Sequence, residues 1–284
     1  MRYSRTENGC QKLFLVKCDL HNVRFAGRGA FGRVSSGQHR ETGQWRAIKV
    51  QSHNLREVKQ EAAHQRKVGG AHHTLPRLLD HYEVYRASGS RLGVIEMEHG
   101  GRSLADTRRR LSVLDHQKHI YCDKLPVKTA AAIVLKVLDG LQAMHGKRFV
   151  HLDLQPKNVL WDGSKPESVK MVDFGTVEAL HHTGEPKGGT WEYMPPEQFG
   201  RGPFTEATDL FQAVALLIYL TSGRAPFIAW SRDGVKGLHN DGGRNSAIGS
   251  CPQELHGLLH KHLRFRGHLR PTLQELREDL QWFC

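Results

Sequence analysis

Apolar residues recur at two different spacings along the 284-residue chain, and the change of spacing divides it. Up to Met97 the runs are short and alternate. Residues 12–24, with Leu13, Leu15, Val23 and Phe25 at or beside them, read as a strand or two; Val34–Gln38 continues as a polar strand, Glu41–Gln44 as a hairpin turn, Arg46–Val50 as the next strand and Leu92–Met97 as a short apolar one. One helical segment interrupts them: residues 54–68 carry helix formers from Leu55 onward and stop at Gly69-Gly70. After Glu98-His99-Gly100-Gly101, a connection that suits a hinge, the spacing becomes helical. Ile133, Val134, Val137, Leu138, Leu141 and Met144 mark the buried face of a helix over Thr129–Met144, and Asp209–Leu220 is a strongly apolar helix. Leu255–Leu263 and Thr272–Leu280 are amphipathic, the second opened by a capping box of Thr272 with Glu275. Residues 223–253, rich in Gly and Asn, read as loop.

Between the helices lies a polar turn, His151 to Asn158, bracketed by Phe149-Val150 and Val159-Leu160-Trp161, which predict short strands pinning both ends. A carboxylate in such a turn, Asp153, can accept a proton from an attacking hydroxyl, and the amide oxygen of Asn158 is a hard ligand suited to Mg²⁺. A further strand, Val169–Val172, ends in Asp173-Phe174-Gly175, so that the Asp173 carboxylate can share a metal with Asn158. Upstream, Gly27, Gly29 and Gly32 within Ala26-Gly27-Arg28-Gly29-Ala30-Phe31-Gly32-Arg33-Val34 let backbone N–H groups approach phosphate oxygens. No helix follows this stretch, which argues for a strand–turn–strand flap over a dinucleotide-binding unit. Lys49, between Ile48 and Val50 on a buried-looking strand, calls for an anion, and phosphate is the obvious one. Glu61 is the favoured glutamate to reach back to it, with Glu57 the runner-up.

Charge and cysteine usage narrow the setting. Lys and Arg number 41 against 29 Asp and Glu, a formal net charge of +12, which predicts attraction to acidic partners. The basic residues are dispersed, Arg108-Arg109-Arg110 being the densest cluster, so a nucleic-acid stripe is not indicated. Cys10, Cys18, Cys122, Cys251 and Cys284 form no CxxC pair and fit reduced thiols in an intracellular, soluble protein of cytoplasm or nucleus. The polar start of the chain lacks a signal-peptide core, and the apolar run Ala213–Leu220 is too short to span a bilayer. Among 19 histidines, His256 and His260 stand at helical spacing and His72-His73 and His181-His182 are paired, but no ligand set is completed, so solvated or helix-face residues are expected.

In this order the motifs resemble the signature set of the protein kinase family, over about Val23 to Leu280. The resemblance implies an α+β, bilobal fold: a small, mostly antiparallel β lobe with one helix at about 23–97, and a larger, mainly α-helical lobe at about 102–284. A kinase domain at 23–284 would then follow a short extension at 1–22. It implies ATP and Mg²⁺, protein substrates and transfer to serine or threonine, the Gly189-Thr190 pair ahead of Tyr193 being similar to that group. By the same resemblance the residues Ala26 to Val34 cover the phosphates and Lys49 contacts them, oriented by Glu61. Ile95 stands at the gatekeeper position, and the backbone of Glu96 and Glu98 meets the adenine. Asp153 is the catalytic base, Asn158 and Asp173 are metal ligands, Glu197 of Pro195-Pro196-Glu197 pairs with Arg270, and Asp209 braces the catalytic loop.

Two departures from the family pattern carry information. Leu152 stands where the family usually has an Arg that gathers a phosphorylated activation loop, so activity independent of such a phosphate, at Thr183 or Thr190, is expected. Gln155 stands in place of the usual Lys, and Lys157, two positions on, is the cation that could replace it. The spelling HLDLQPKNVL is also similar to that of the conserved herpesvirus protein kinases, which would place the chain in a host cell.

Parts of the sequence suit three rival readings. A small-molecule phosphotransferase of the aminoglycoside-kinase type shares the His-x-Asp-x-x-Pro-x-Asn loop, but lacks counterparts of Phe174-Gly175, Pro196-Glu197 and Arg270. A pseudokinase scaffold is favoured by Leu152 and Gln155 and opposed by Lys49, Asp153, Asn158 and Asp173. A basic nucleic-acid-binding protein has no motif to support it. A monomer is the default.

Overall fold

The computed structural model describes residues 19–29, 32–51, 54–85, 88–107 and 123–284. Leu13, Leu15, Cys10, Cys18, Cys122, Ala30, Phe31 and Arg108 to Arg110 lie outside the described residues. The chain divides into two compact units, one reaching to Gly70 and resuming over Pro76–Gly100, the other formed by Ala71–Leu75 and Gly101–Cys284.

The first unit is a five-stranded antiparallel sheet with a helix. The strands β1 (Leu20–Gly29), β2 (Gly32–His39) and β3 (Trp45–Gln51) precede helix α1 (Leu55–Val68), and β4 (Leu78–Tyr85) and β5 (Arg91–Glu98) follow it. The sheet order is β1-β2-β3-β5-β4. Alternation assigns its faces. Leu20, Ile48, Val84, Leu92 and Val94 pack on one side, whereas Ile95 and Met97, with Ala47, meet Val58 and Ala62 of α1 on the other. Gly93 lets α1 come close, because a Cβ there would fall 2.7 Å from a Val58 methyl. Since Lys49 follows Ala47 by two, it also points toward α1.

Two sequence expectations for this unit need correction. The first strand begins at Leu20, inside the stretch read as an extension, because Leu20 is buried and pairs with His39. Strand β4 was not foreseen: it lies at the sheet edge with Leu79 and Tyr85 exposed and only Val84 buried, so it carries no alternation to read.

The second unit is mainly helical. Helix α2 (Leu104–Thr107) is one turn; α3 (Val127–Gly146) and α4 (Glu206–Ser222) form its centre. From Thr208 to Ser222 every residue of α4 is buried, as expected of a helix apolar all round, and a capping box of Thr205 with Thr208 starts it. Residues 223–253, read as loop, contain helices α5 (Arg232–Gly237) and α6 (Asp241–Gly249). Their start signals are single caps, the Ser231 hydroxyl accepting from the Gly234 N–H and Asn240 Oδ1 from the Gly243 N–H. Their buried residues, Val235 in one and Ala247 and Ile248 in the other, are too few to show a helical period. Helices α7 (His256–His262) and α8 (Leu273–Gln281) close the unit, α8 opened by the Thr272–Glu275 capping box and tied to α3 by Arg277 and Asp139 at 2.6 Å. No helix among the described residues is long and apolar enough to cross a membrane.

Four two-residue strands hold the segments between α3 and α4. Strand β6 (Phe149–Val150) pairs with β9 (Glu178–Ala179), and β7 (Val159–Leu160) pairs with β8 (Lys170–Met171).

An aromatic cage beside these helices gives a pH prediction. The ring of His239 lies 5.1 Å from Phe199, 5.0 Å from Phe227 and 5.3 Å from Phe265. Burial pushes the imidazole down to about 4. Neutral histidine is therefore favoured in the folded state, a contribution fully present above the ordinary value of 6.5 and lost as pH falls through about 4. Denaturant unfolding between these pH values should show about 2–3 kcal/mol of acid destabilisation that His239→Phe removes; an unchanged pH slope in the variant would assign the loss to other groups.

Candidate active site

On the first unit, β1 and β2 form the hairpin foreseen from the glycines, with Gly27 opposite Val34, Arg28 opposite Arg33 and Gly29 opposite Gly32. Gly32 has φ +132°, and a Cβ there would fall 2.5 Å from the Val50 carbonyl oxygen. The position therefore demands glycine. Gly27 has open space around it, Ala26 and Arg33 are exposed, and the Arg33 guanidinium lies over the Phe25 ring at 4.7 Å. Strand β2 passes directly into the site, since Val34 pairs with Lys49.

The Lys49 ammonium and the Glu61 carboxylate are 2.7 Å apart, and both side chains are almost fully buried. Glu57 is elsewhere, accepting a bond from Asn54 at the exposed start of α1. Sequence reasoning missed Gln51. Two residues beyond Lys49 on the same strand face, its amide donates to the second oxygen of Glu61 at 2.9 Å, so both carboxylate oxygens are held. The strand period alone could have flagged a buried amide facing α1. Ile95 lies opposite Lys49 and is fully buried, Glu96 pairs with Arg46 at 2.6 Å, and the Glu98 N–H donates to the Arg77 carbonyl.

On the second unit the turn His151–Asn158 is held from three directions. Strands β6 and β7 fix its ends. Beneath it the Asp209 carboxylate accepts from the His151 N–H at 2.9 Å, the Leu152 N–H at 3.0 Å and His145 Nε2 at 2.8 Å. Asp153 itself is 5% exposed. Its carboxylate accepts from Asn158 Nδ2 at 2.8 Å, from the Thr190 N–H at 2.9 Å and from Gln155 Nε2 at 3.1 Å. Burial first, and then the neighbouring Asp173 carboxylate, hold the Asp153 carboxyl above its ordinary range, against His151, Gln155 and Thr190, which favour its charged form.

Asp173 follows a backbone bond from the Val172 N–H to the Asn158 carbonyl, and has φ +70° with its side chain accepting from the Gly175 N–H. Asn158 uses its Nδ2 for both of its bonds to Asp153, which leaves Oδ1 available. The Asp173 carboxylate and the Asn158 amide oxygen are hard donors, and a divalent cation would offset the repulsion between Asp173 and Asp153, so the residues fit a metal of the Mg²⁺ type. Phe174 is fully buried beside the His151 ring.

Farther along, Glu197 and Arg270 pair through two bonds of 2.6 and 2.9 Å. Lys157 is the exposed residue of the otherwise buried loop from His151 to Asn158. Gln155 bonds to Asp153, which the sequence did not suggest. His256 and Cys251, singled out for their types, bond each other through the Cys251 carbonyl, and the Cys251 thiol is buried and held above its usual range by that burial.

The geometry agrees with the comparisons. The protein kinase domain profile matches residues 20–283. The chain is 28% identical to mitogen-activated protein kinase kinase 1 of Arabidopsis thaliana over 75% of its length and 57% of the relative's. It is 27% identical to a calcium and calcium/calmodulin-dependent serine/threonine-protein kinase of Pisum sativum (72% and 38%) and to serine/threonine-protein kinase 17A of Oryctolagus cuniculus (72% and 50%). The chain thus spans between about two fifths and three fifths of the length of these relatives. The narrower likeness to herpesvirus kinases is not what these matches show. With a five-stranded antiparallel sheet, a mainly helical second unit and a profile match over nearly the whole sequence, the chain belongs to the protein kinase family, whose domain uses ATP with a divalent metal.

Proposed function

We propose that the chain transfers the γ-phosphoryl group of ATP to serine or threonine hydroxyls of proteins, and does so without a phosphate on its activation segment. The observation that carries the first part is the buried Asp153 carboxylate, aimed by three donors and disfavoured as an anion by its surroundings. Such a group can take the proton of an attacking hydroxyl. Serine/threonine specificity is supported by the names of the relatives.

In this reading Lys49, steadied by Glu61, pairs with the α- and β-phosphates under the flap from Ala26 to Val34, and Asp153 orients the hydroxyl and accepts its proton. Asn158 and Asp173 hold Mg²⁺, which neutralises charge on the phosphate oxygens when bound. Glu197, Arg270 and Asp209 support the loop. Gln155 brings no charge to the transferring group, so the exposed Lys157 supplies it. Replacement of Lys157 by Ala should cut kcat by about 10²-fold and leave ATP binding as it was; an unchanged kcat removes Lys157 from the mechanism.

Independence from phosphorylation is supported by what replaces the missing cation. Leu152 is buried in an apolar cluster with Val150 and Phe204, against which Leu180 of the activation segment packs. The segment is further tied down by His181 and His182, which exchange backbone bonds with Phe204, by the Gly184 N–H on the Arg201 carbonyl, and by Lys187 with Glu178 at 2.5 Å. Phosphatase-treated protein should keep its full rate. Loss of most activity on treatment, or an essential phosphate at Thr183 or Thr190, would count against the proposal.

The +12 balance points to acidic protein segments as substrates, with the chain acting as a monomer. The test of the function is transfer from radiolabelled ATP to a panel of acidic and basic proteins, followed by phosphoamino-acid analysis. Label on serine and threonine of acidic proteins is expected; label on tyrosine alone overturns the specificity, and none at all favours a binding scaffold.

A further inference from the structure

Leu152 is a bulky residue at φ +66°, a strained conformation that persists only where its surroundings dictate it. The Asp209 carboxylate fixes its N–H. Its carbonyl is fixed by something the sequence did not announce, a pair of glutamine side chains that are both fully buried. The Leu152 carbonyl accepts from Gln198 Nε2 at 2.8 Å and from Gln212 Nε2 at 3.1 Å. Gln212 Oε1 accepts in turn from the Leu154 N–H at 2.8 Å, and Gln212 Nε2 also donates to Gln198 Oε1 at 2.8 Å.

We propose that Gln198 and Gln212 are positioning residues for Asp153: a neutral amide clamp that fixes the peptide groups on both sides of the base. The proposal rests on the reading of Asp153 as that base. Gln212 grips the carbonyl before Asp153 with its donor and the N–H after it with its acceptor, a task that needs both functions on one side chain. Three residues apart on α4, Asp209 and Gln212 share a face, and together they engage the backbone of His151, Leu152 and Leu154. Gln198 adds a second donor from the turn that directly follows Glu197 and so links that element to the loop.

Without these donors the Leu152 carbonyl is buried and unpaired, and the peptide it shares with Asp153 is free to rotate toward an unstrained φ. Rotation carries the Asp153 carboxylate away from Asn158 and Thr190, and a displacement near 1 Å at a reacting group costs about 10²-fold in rate. Being uncharged, the clamp needs no phosphate to engage, which accords with activity in the unphosphorylated state.

Methionine at either position keeps the volume and removes the bonds. The test is the single-turnover rate of phosphoryl transfer, counted per ATP-binding site, for Gln198→Met, Gln212→Met, Gln212→Glu and the double Met protein, with ATP affinity measured alongside. Gln212→Met should be slowed by about 30–100-fold and Gln198→Met, which leaves Gln212 on the loop, by about 3–10-fold, both with ATP affinity within about twofold of wild type. Gln212→Glu keeps an acceptor for Leu154 but loses the donor to Leu152, and should be slowed like Gln212→Met. The double protein should be slowed by less than the product of the single effects, because the two amides share one carbonyl. A full transfer rate per ATP-binding site in the folded single variants, or ATP affinity falling as far as the rate, overturns the clamp. Gln198→Met, the milder change, decides the matter if Gln212 variants do not fold. Wild-type protein that binds ATP but transfers no label sinks the reading of Asp153 and the clamp with it, whereas active wild type matched by its variants sinks the clamp alone.

Discussion

Asp153→Asn protein should transfer phosphate about 10²–10⁴-fold more slowly than wild type while binding ATP equally well, since that range is what a positioned general base contributes. The amide keeps the size of the carboxylate and loses its basicity. In wild type the carboxylate accepts from Asn158, Gln155 and the Thr190 N–H, so its orientation is set before any hydroxyl arrives. Burial raises its affinity for a proton, which favours its role as a base. ATP affinity is expected to hold because the Lys49–Glu61 pair belongs to β3 and α1, which the substitution does not touch. Rate constants from single-turnover transfer and affinities from nucleotide titration separate the two quantities. A variant keeping more than about a tenth of the wild-type rate would mean that some other group takes the proton.

Arg270→Met should destabilise the second unit by about 3–5 kcal/mol, the usual consequence of removing one partner of a buried ion pair. The guanidinium is almost wholly buried and makes more than the two bonds to Glu197. It donates to the carbonyls of Arg264, Ala207 and Phe265 at 2.7–2.8 Å and lies over the Phe211 ring at 4.9 Å. Met fills much of the volume, so the loss is electrostatic and not a cavity effect. Glu197→Gln, which leaves Arg270 its three carbonyls and one amide acceptor, should cost less. Equilibrium denaturation with an unchanged m-value measures both, and a loss below about 1 kcal/mol for Arg270→Met would show the pair to be dispensable.

What could be read from residues alone was what depends on period and local order. The 3.6-residue spacing from Ile133 to Met144 gave α3 within two residues at each end, and Thr272 with Glu275 gave the start of α8. The apolar pairs around His151–Asn158 gave β6 and β7, and alternation on β3 turned Lys49 toward α1. Helices α5 and α6 escaped because short, glycine-containing helices secured by a single cap have no period to detect. Strand β4 escaped because an edge strand with one buried residue looks like loop. The amides of Gln51, Gln155, Gln198 and Gln212 escaped for a different reason. Glutamine is common on surfaces; the strand period hinted at Gln51, but only tertiary structure shows that the other three are buried against Asp153 and the Leu152 carbonyl.

The aminoglycoside-kinase alternative fares poorly here, because Phe174, Glu197 and Arg270 are all built into the second unit. A scaffold without chemistry would have little use for an aspartate kept buried at an energetic cost beside a second one. The decisive measurement is transfer of label from γ-labelled ATP by phosphatase-treated wild-type protein, run beside Asp153→Asn, with the labelled amino acids identified. Label on serine and threonine from wild type, and about 10²-fold less or lower from the variant, is the predicted result; equal labelling by the two proteins, or none from wild type that binds ATP, would contradict it.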